Sequence, residues 1–176
     1  MRLPIALAAA CMLSACQPPS TSGPPLESAP ATVAPASGTD AGLIAHGEYI
    51  VRIGGCNDCH TADYMPRGGD VPKDAWLTGS PLGYHGPWGT TYATNLRLTV
   101  DGLSETEWLD YTGKLHTRPI MPDFVLRQMR EADRRAIYHF IRSLGRAGEP
   151  SRPALPPGET PPPPYFQLVE PVAATE

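Results

Sequence analysis

The sequence predicts an all-α domain, and three observations carry that expectation. Apolar residues recur at helical spacing in two long stretches, around 42–53 and 129–144. A capping box, Ser104-x-x-Glu107, opens a third helix. No stretch of the 176 residues alternates apolar and polar side chains as a half-buried strand would.

Taken in order, Gly42 to Ile53 brings Leu43, Ile44, Gly47, Ile50, Val51 and Ile53 near one another on a helix. The helix that begins at Ser104 runs through Trp108 and Leu109 to about Leu115. Residues 129–144 place Met129, Ala136, Ile137, Phe140, Ile141 and Leu144 on one stripe, and Gly145 stops that helix. Between them, 76–100 reads as loop, punctuated by Gly79, Gly83, Gly86 and Gly89.

The segment just after the first helix carries the chemistry. Cys56-Asn57-Asp58-Cys59-His60 is a single C-x-x-C-H. Two thiols at this spacing can each add to one vinyl group on a haem edge, and the following histidine is then held against the iron. A zinc half-site needs two further ligands, and no second C-x-x-C or paired histidine motif exists in the chain. A thioredoxin-like pair would sit at a strand end in a βαβ pattern, which is absent. One motif implies one covalently attached haem c, with Cys56 and Cys59 as its anchors and His60 as an axial iron ligand.

The N-terminus bears on the compartment. Residues 1–15 read as a lipoprotein signal peptide: Arg2 supplies the positive region, and Leu3 to Leu13 an apolar run too short to span a bilayer. Leu13-Ser14-Ala15-Cys16 resembles a bacterial lipobox, which makes Cys16 the acylated residue. Ordinary cleavage with Cys16 left as a free thiol is the alternative. The cysteine count agrees with lipidation, since Cys11 falls in the signal and none of the four cysteines remains for a disulfide. The expectation is a periplasmic protein, lipid-anchored to the inner or outer membrane without crossing it.

Three zones follow the signal. Residues 16–40 are rich in Pro, Ser, Thr, Ala and Gly and read as a disordered tether, roughly 25–30 Å across as a flexible coil. Residues 41–147 form the folded domain. Residues 148–176 form a tail with nine prolines, including Pro161 to Pro164. Its Tyr165, Phe166, Leu168 and Val169 are expected to pack back on the domain; docking along a partner is the alternative.

The domain carries twelve basic and twelve acidic residues, so the chain's net charge of −4 comes from outside it. Residues 127–146 are rich in arginine and residues 58–74 lean acidic, an asymmetry able to steer a redox partner unless it is an ordinary solvated face. An exported, mildly acidic chain is not expected to bind nucleic acid.

The second axial ligand decides between an electron carrier and a ligand-binding haem. Met65 lies only five residues beyond His60, and Met129 falls on the apolar stripe of the last helix. Met121, in Arg118-Pro119-Ile120-Met121-Pro122, sits in a loop that its prolines stiffen. A soft sulfur on a rigid loop suits a His/Met site, so Met121 is the expected ligand. His46 and His139 have ordinary explanations, whereas His85 and His116, both in predicted loops, stay open as alternatives.

The order of helix, Gly54-Gly55-Cys56-Asn57-Asp58-Cys59-His60, loop, capped helix, Pro-x-Met-Pro and terminal helix resembles class I cytochrome c domains. More narrowly, Trp76-Leu77-x-Gly79, Gly89-Thr90-Thr91-Tyr92-Ala93-x-Asn95-Leu96 and Ala136-Ile137-Tyr138-x-Phe140-Ile141 look like bacterial periplasmic mono-haem cytochromes. Cytochrome domains of membrane-bound alcohol and gluconate dehydrogenases are similar. The resemblance covers about 42–147 and part of the tail. It implies a cytochrome c-like helical shell around one haem, with the first and last helices crossing near Gly47 and Met121 capping the distal face. Thr91, Tyr92 and Asn95 would lie near the propionates. One departure is Arg130, which stands where a Ser or Asp often caps the last helix.

The function expected is therefore single-electron transfer between a dehydrogenase and a respiratory chain or terminal oxidase, by a carrier rather than an enzyme. A dedicated cytochrome subunit of an oxidoreductase complex is the alternative. A haem-based gas sensor or a peroxidase-like protein would need a vacant distal site, and a surface lipoprotein without cofactor would make no use of the motif.

Overall fold

A computed structural model describes residues 40–169. The signal segment 1–15, Cys16 and all of the tether but Asp40 lie outside the described residues.

Six helices run in the order α1 (Asp40–Ile53), α2 (Cys56–His60), α3 (Leu96–Asp101), α4 (Glu105–Lys114), α5 (Asp123–Gln128) and α6 (Glu131–Leu144). The long ones, α1, α4 and α6, are those whose periodicity and caps are written in the sequence. In α4 the capping box closes both ways: Ser104 Oγ accepts from Glu107 N–H at 3.3 Å, and Glu107 Oε2 accepts from Ser104 N–H at 2.8 Å. In α6 Arg130 occupies the cap position without capping, and Asp133 in the first turn binds both Arg130 Nε (2.8 Å) and His46 Nε2 (2.9 Å). Arg130, followed by His46, holds the Asp133 carboxyl below the usual carboxylate range, so the helix start is negative as its dipole favours.

The core lies where α1 crosses α6. At Gly47 an added Cβ would stand 2.0 Å from the Ala136 carbonyl oxygen and 2.7 Å from Phe140 Cβ, so the two backbones touch directly. Val51, Ala136, Phe140 and Ile141 are buried around this crossing, together with Trp76, Leu77 and Val100 from the intervening chain. Trp76 meets Tyr64 and Phe140 edge-on at 5.8 and 6.4 Å, donates its indole N–H to Val71 O at 2.8 Å, and carries the Arg52 guanidinium 4.4 Å above its ring.

The all-α expectation is overturned: the fold is mixed α/β. Three strands, β1 (Gly83–Gly86), β2 (Gly89–Tyr92) and β3 (Tyr165–Gln167), form one sheet in the order β2-β1-β3. β1 and β2 pair antiparallel with Tyr84 opposite Thr91, and β1 and β3 pair parallel with Tyr84 opposite Phe166. The strands hold four, four and three residues, and β1 is bounded by glycine at both ends. Such pieces are too short to show an alternation, and they become strands only through pairing. The segment 76–100 is accordingly more than loop, since it holds β1, β2 and the start of α3. Asn95 caps α3 by accepting from Leu98 N–H at 3.1 Å.

The described part of the tail runs back over the domain. Leu155 exchanges two backbone hydrogen bonds with Thr90 (3.0 and 2.9 Å), Ser151 Oγ donates to Ala93 O (2.9 Å), and β3 closes the sheet. Phe166 packs on Tyr84 and Tyr165 on His85, both at 5.9 Å between ring centroids.

Candidate functional site

A cavity of about 340 Å³ opens between α2, β2, α4, the loop before α5 and the tail. Its wall brings together Cys56, Cys59 and His60 from α2 with Met121 from the Pro-flanked loop. Trp108, Thr112, Leu115, Leu126 and Ile137 make most of the remaining wall apolar, and Tyr84, Thr91, Tyr92 and Ala154 close one edge.

Local geometry explains how α2 presents its side chains. Gly55 precedes the helix in the left-handed region (φ 66°), which a side chain disfavours and which turns the chain sharply out of α1. Thr61 Oγ1 donates to Asn57 Oδ1 at 2.7 Å and accepts from Leu77 N–H at 2.8 Å, while Gly79 N–H donates to His60 O at 2.8 Å. The short helix is thus pinned at its C-terminal end to the 77–79 segment.

His60 is buried, and its Nδ1 lies 2.7 Å from Thr94 O. A carbonyl can only accept, so Nδ1 carries the proton and Nε2 the lone pair. Burial lowers the imidazole's affinity for a second proton, only partly offset by the Thr94 carbonyl. The ring is therefore a neutral, oriented donor of the kind that metal ligation requires. Cys56 and Cys59 are not disulfide-bonded to each other, and desolvation pushes the Cys56 thiol up to about 11.

Met121 is half-buried, and its loop is braced from three directions. Thr91 Oγ1 donates to Pro119 O at 2.6 Å. Arg118 Nη1 donates to Trp88 O and to Leu155 O, each at 2.9 Å. Thr117 N–H donates to Asp123 Oδ2 at 2.5 Å, and Arg127 clasps both Asp123 Oδ1 (2.7 Å) and Leu115 O. The Thr117 amide and then Arg127 hold the Asp123 carboxyl below the usual range.

All the rival donors but Met129 are placed elsewhere. Met65 is 54% exposed and off the cavity. His46 binds Asp133, His139 binds Glu105 at 2.7 Å, and His85 sits in β1 with Nδ1 2.8 Å from Thr90 Oγ1. His116 is exposed and does not line the cavity. Met129 does line it, but its Cε lies 3.9 Å from where a Cβ on Gly54 would stand. Its side chain therefore packs beside the cysteine-bearing segment.

Thr91 and Tyr92 stand on the cavity wall; Asn95 does not. Asn95 instead caps α3 and donates its Nδ2 to Ala147 O (2.8 Å) and Glu149 O (3.1 Å), which starts the tail on its course. Sequence reasoning missed Trp108 and Ala154 as wall residues, Arg118 as a brace and Thr94 as the carbonyl that orients His60. Trp108 carried a weak signal in its place on the buried face of a capped helix; a backbone carbonyl leaves none.

No family model matches the chain, and neither a curated protein nor a solved structure is found similar to it.

The donor set tests which group fits. Two thiols, an imidazole and a thioether on one mostly apolar cavity are the donors a covalent haem needs. The buried Tyr92 hydroxyl on the same wall lacks a hydrogen-bond partner, as expected beside a group that carries its own polar edge. Zinc fits poorly, because among the described residues no group of three or more His, Cys, Asp or Glu side chains is arranged so that it could hold a metal ion.

The arginines of 127–146 are largely neutralised in place. Arg130 pairs with Asp133, Arg135 with Glu105 and Glu131, Arg142 and Arg146 with Asp101, and Arg127 with Asp123. A run that reads as positive in sequence is thus a network of local pairs. The exposed residues lining the cavity include the apolar Tyr111, Ile120 and Val125, with Phe124 beside them, as well as Thr117 and Arg118.

Proposed function

We propose that this chain is a mono-haem c-type cytochrome that carries single electrons between a dehydrogenase and a respiratory chain, held at a membrane by lipid on Cys16. The observation that carries the reading is that Cys56, Cys59, His60 and Met121 line one cavity, although Met121 lies more than sixty residues from the motif. Cys56 and Cys59 would hold the group through thioethers, and His60 and Met121 would supply the nitrogen and sulfur donors to its iron. A haem so bound supplies a one-electron ferrous/ferric couple. Trp108, Leu115, Leu126 and Ile137 exclude water from it, the protein's main means of tuning the potential besides the ligands. With His60 and Met121 both available as donors to the iron, the reading is a carrier and not an enzyme.

Cys56→Ser/Cys59→Ser, expressed with haem-attachment machinery, is expected to lose all covalent haem, read as peroxidase stain on a denaturing gel. A wild-type band without stain would sink the proposal. The anchor is tested separately: Cys16→Ser should shift most of the protein from the membrane to the soluble fraction, since a single weak contact does not retain a protein there. No described helix is long and apolar enough to cross a bilayer.

The apolar mouth formed by Tyr111, Ile120, Phe124 and Val125 supports a narrower version, in which the chain is the dedicated cytochrome subunit of an oxidoreductase complex. Stoichiometric co-purification with one dehydrogenase at high salt distinguishes it from a freely diffusing carrier.

A further inference from the structure

The Met121 loop leans on a part of the chain far from it in sequence. Arg118 Nη1 reaches two carbonyls at 2.9 Å: Trp88, in the turn between β1 and β2, and Leu155, in the proline-rich tail. Leu155 is itself fixed, by its paired backbone hydrogen bonds to Thr90. The tail can lie there only because Gly89 has no side chain. At Gly89 (φ +93°) an added Cβ would stand 2.2 Å from the Leu155 carbonyl oxygen and 2.7 Å from the Pro156 carbonyl carbon. One residue earlier, Ala154 forms part of the cavity wall itself. Tail, turn and loop therefore meet at one guanidinium.

We propose that Arg118 is a positioning residue for Met121, and that through it the C-terminal segment clamps the distal side of the cavity. The inference rests on the proposed haem site and adds to it what controls the lability of its sulfur ligand. Pro119, Ile120 and Pro122, on either side of Met121, are exposed. Its position depends on hydrogen bonds from flanking residues, and the two made by Arg118 are charge-assisted. Prolines on both sides make the loop stiff, so displacement at Arg118 is carried to Met121 instead of being absorbed between them. A tail seated on Gly89 stabilises the closed loop; a tail lifted from it frees the sulfur to be displaced.

The test is imidazole binding to the ferric, haem-loaded full chain, read as displacement of the thioether by its charge-transfer absorption. Arg118→Gln is expected to bind imidazole about tenfold more tightly than wild type, the effect of losing roughly one charge-assisted hydrogen bond. Arg118→Lys should recover part of the difference, because an ammonium reaches one carbonyl but not two in the same geometry. Gly89→Ala should loosen Met121 similarly without touching Arg118. Lys73→Gln, which removes an ion pair with Glu48 remote from the loop, should leave the affinity unchanged even if it lowers the melting temperature.

Equal affinities for wild type and Arg118→Gln, both well below that of Met121→Ala, would overturn the clamp and leave the haem site standing. Wild type binding imidazole as tightly as Met121→Ala would overturn the ligand assignment, and the clamp with it.

Discussion

Met121→Ala is expected to keep its covalent haem, lower the reduction potential by more than about 60 mV, and bind carbon monoxide in the reduced state. The figure is a lower bound: about 60 mV is a tenfold change in the oxidised-to-reduced ratio for a one-electron couple. The direction follows from the ligand. A thioether favours the ferrous state, so removing it favours the ferric one. Haem retention is expected because both cysteines lie on α2, whose hydrogen bonds through Thr61 and Gly79 run to the 77–79 segment and not to the Met121 loop. Denaturing-gel stain, potentiometric titration and a carbon monoxide difference spectrum read the three effects. If the wild type binds carbon monoxide as readily as the variant, Met121 is not the distal ligand.

Gly47→Val is expected to cost at least about 3 kcal/mol, a large fraction of the stability of a domain this size. The added Cβ would fall 2.0 Å from the Ala136 carbonyl oxygen and 2.5 Å from its carbon, which are backbone atoms that no rotamer can move. Relief requires α1 and α6 to separate, exposing Val51, Phe140 and Ile141 around the crossing. Because α2 follows α1 after two glycines, a shift of α1 also carries Cys56 and Cys59 away from Met121. Denaturant melts measure the first effect and covalent haem yield the second. Gly47→Ala should fall in the same direction with a smaller loss. A Gly47→Val protein with wild-type midpoint and yield would show that the helices do not meet there.

Three helices and the C-x-x-C-H motif were legible in the sequence because each is encoded locally. The stripes of α1 and α6 repeat over three turns or more, and Ser104 and Glu107 cap α4 with their own side chains. The two six-residue helices, α3 and α5, are too short for a stripe to stand out. Strands β1 and β2 were hidden for a similar reason. Gly83 and Gly86 lack side chains to alternate, and Gly83 and Tyr84 are buried in succession. Strand β3 follows four prolines and is made a strand by its pairing with β1.

The site divides along the same line. Cys56, Cys59 and His60 form one contiguous signal, and Met121 was singled out by the prolines on either side of it. Asn95 was assigned to the haem surroundings by resemblance, whereas its side chain is occupied with α3 and the start of the tail. The arginine run of 127–146 suggested a charged face, and the acidic residues that pair it lie as far away as Asp101 and Glu105.

By itself the sequence showed the C-x-x-C-H motif and the three main helices, since each depends on residues within a turn or two of one another. Only the tertiary structure decided that the domain is mixed α/β, that Thr94 orients His60, and that the tail reaches Met121 through Arg118. Those features rest on backbone carbonyls and on side chains missing at Gly47 and Gly89. Their partners lie from 34 to 89 residues away, at separations where no local pattern records the contact.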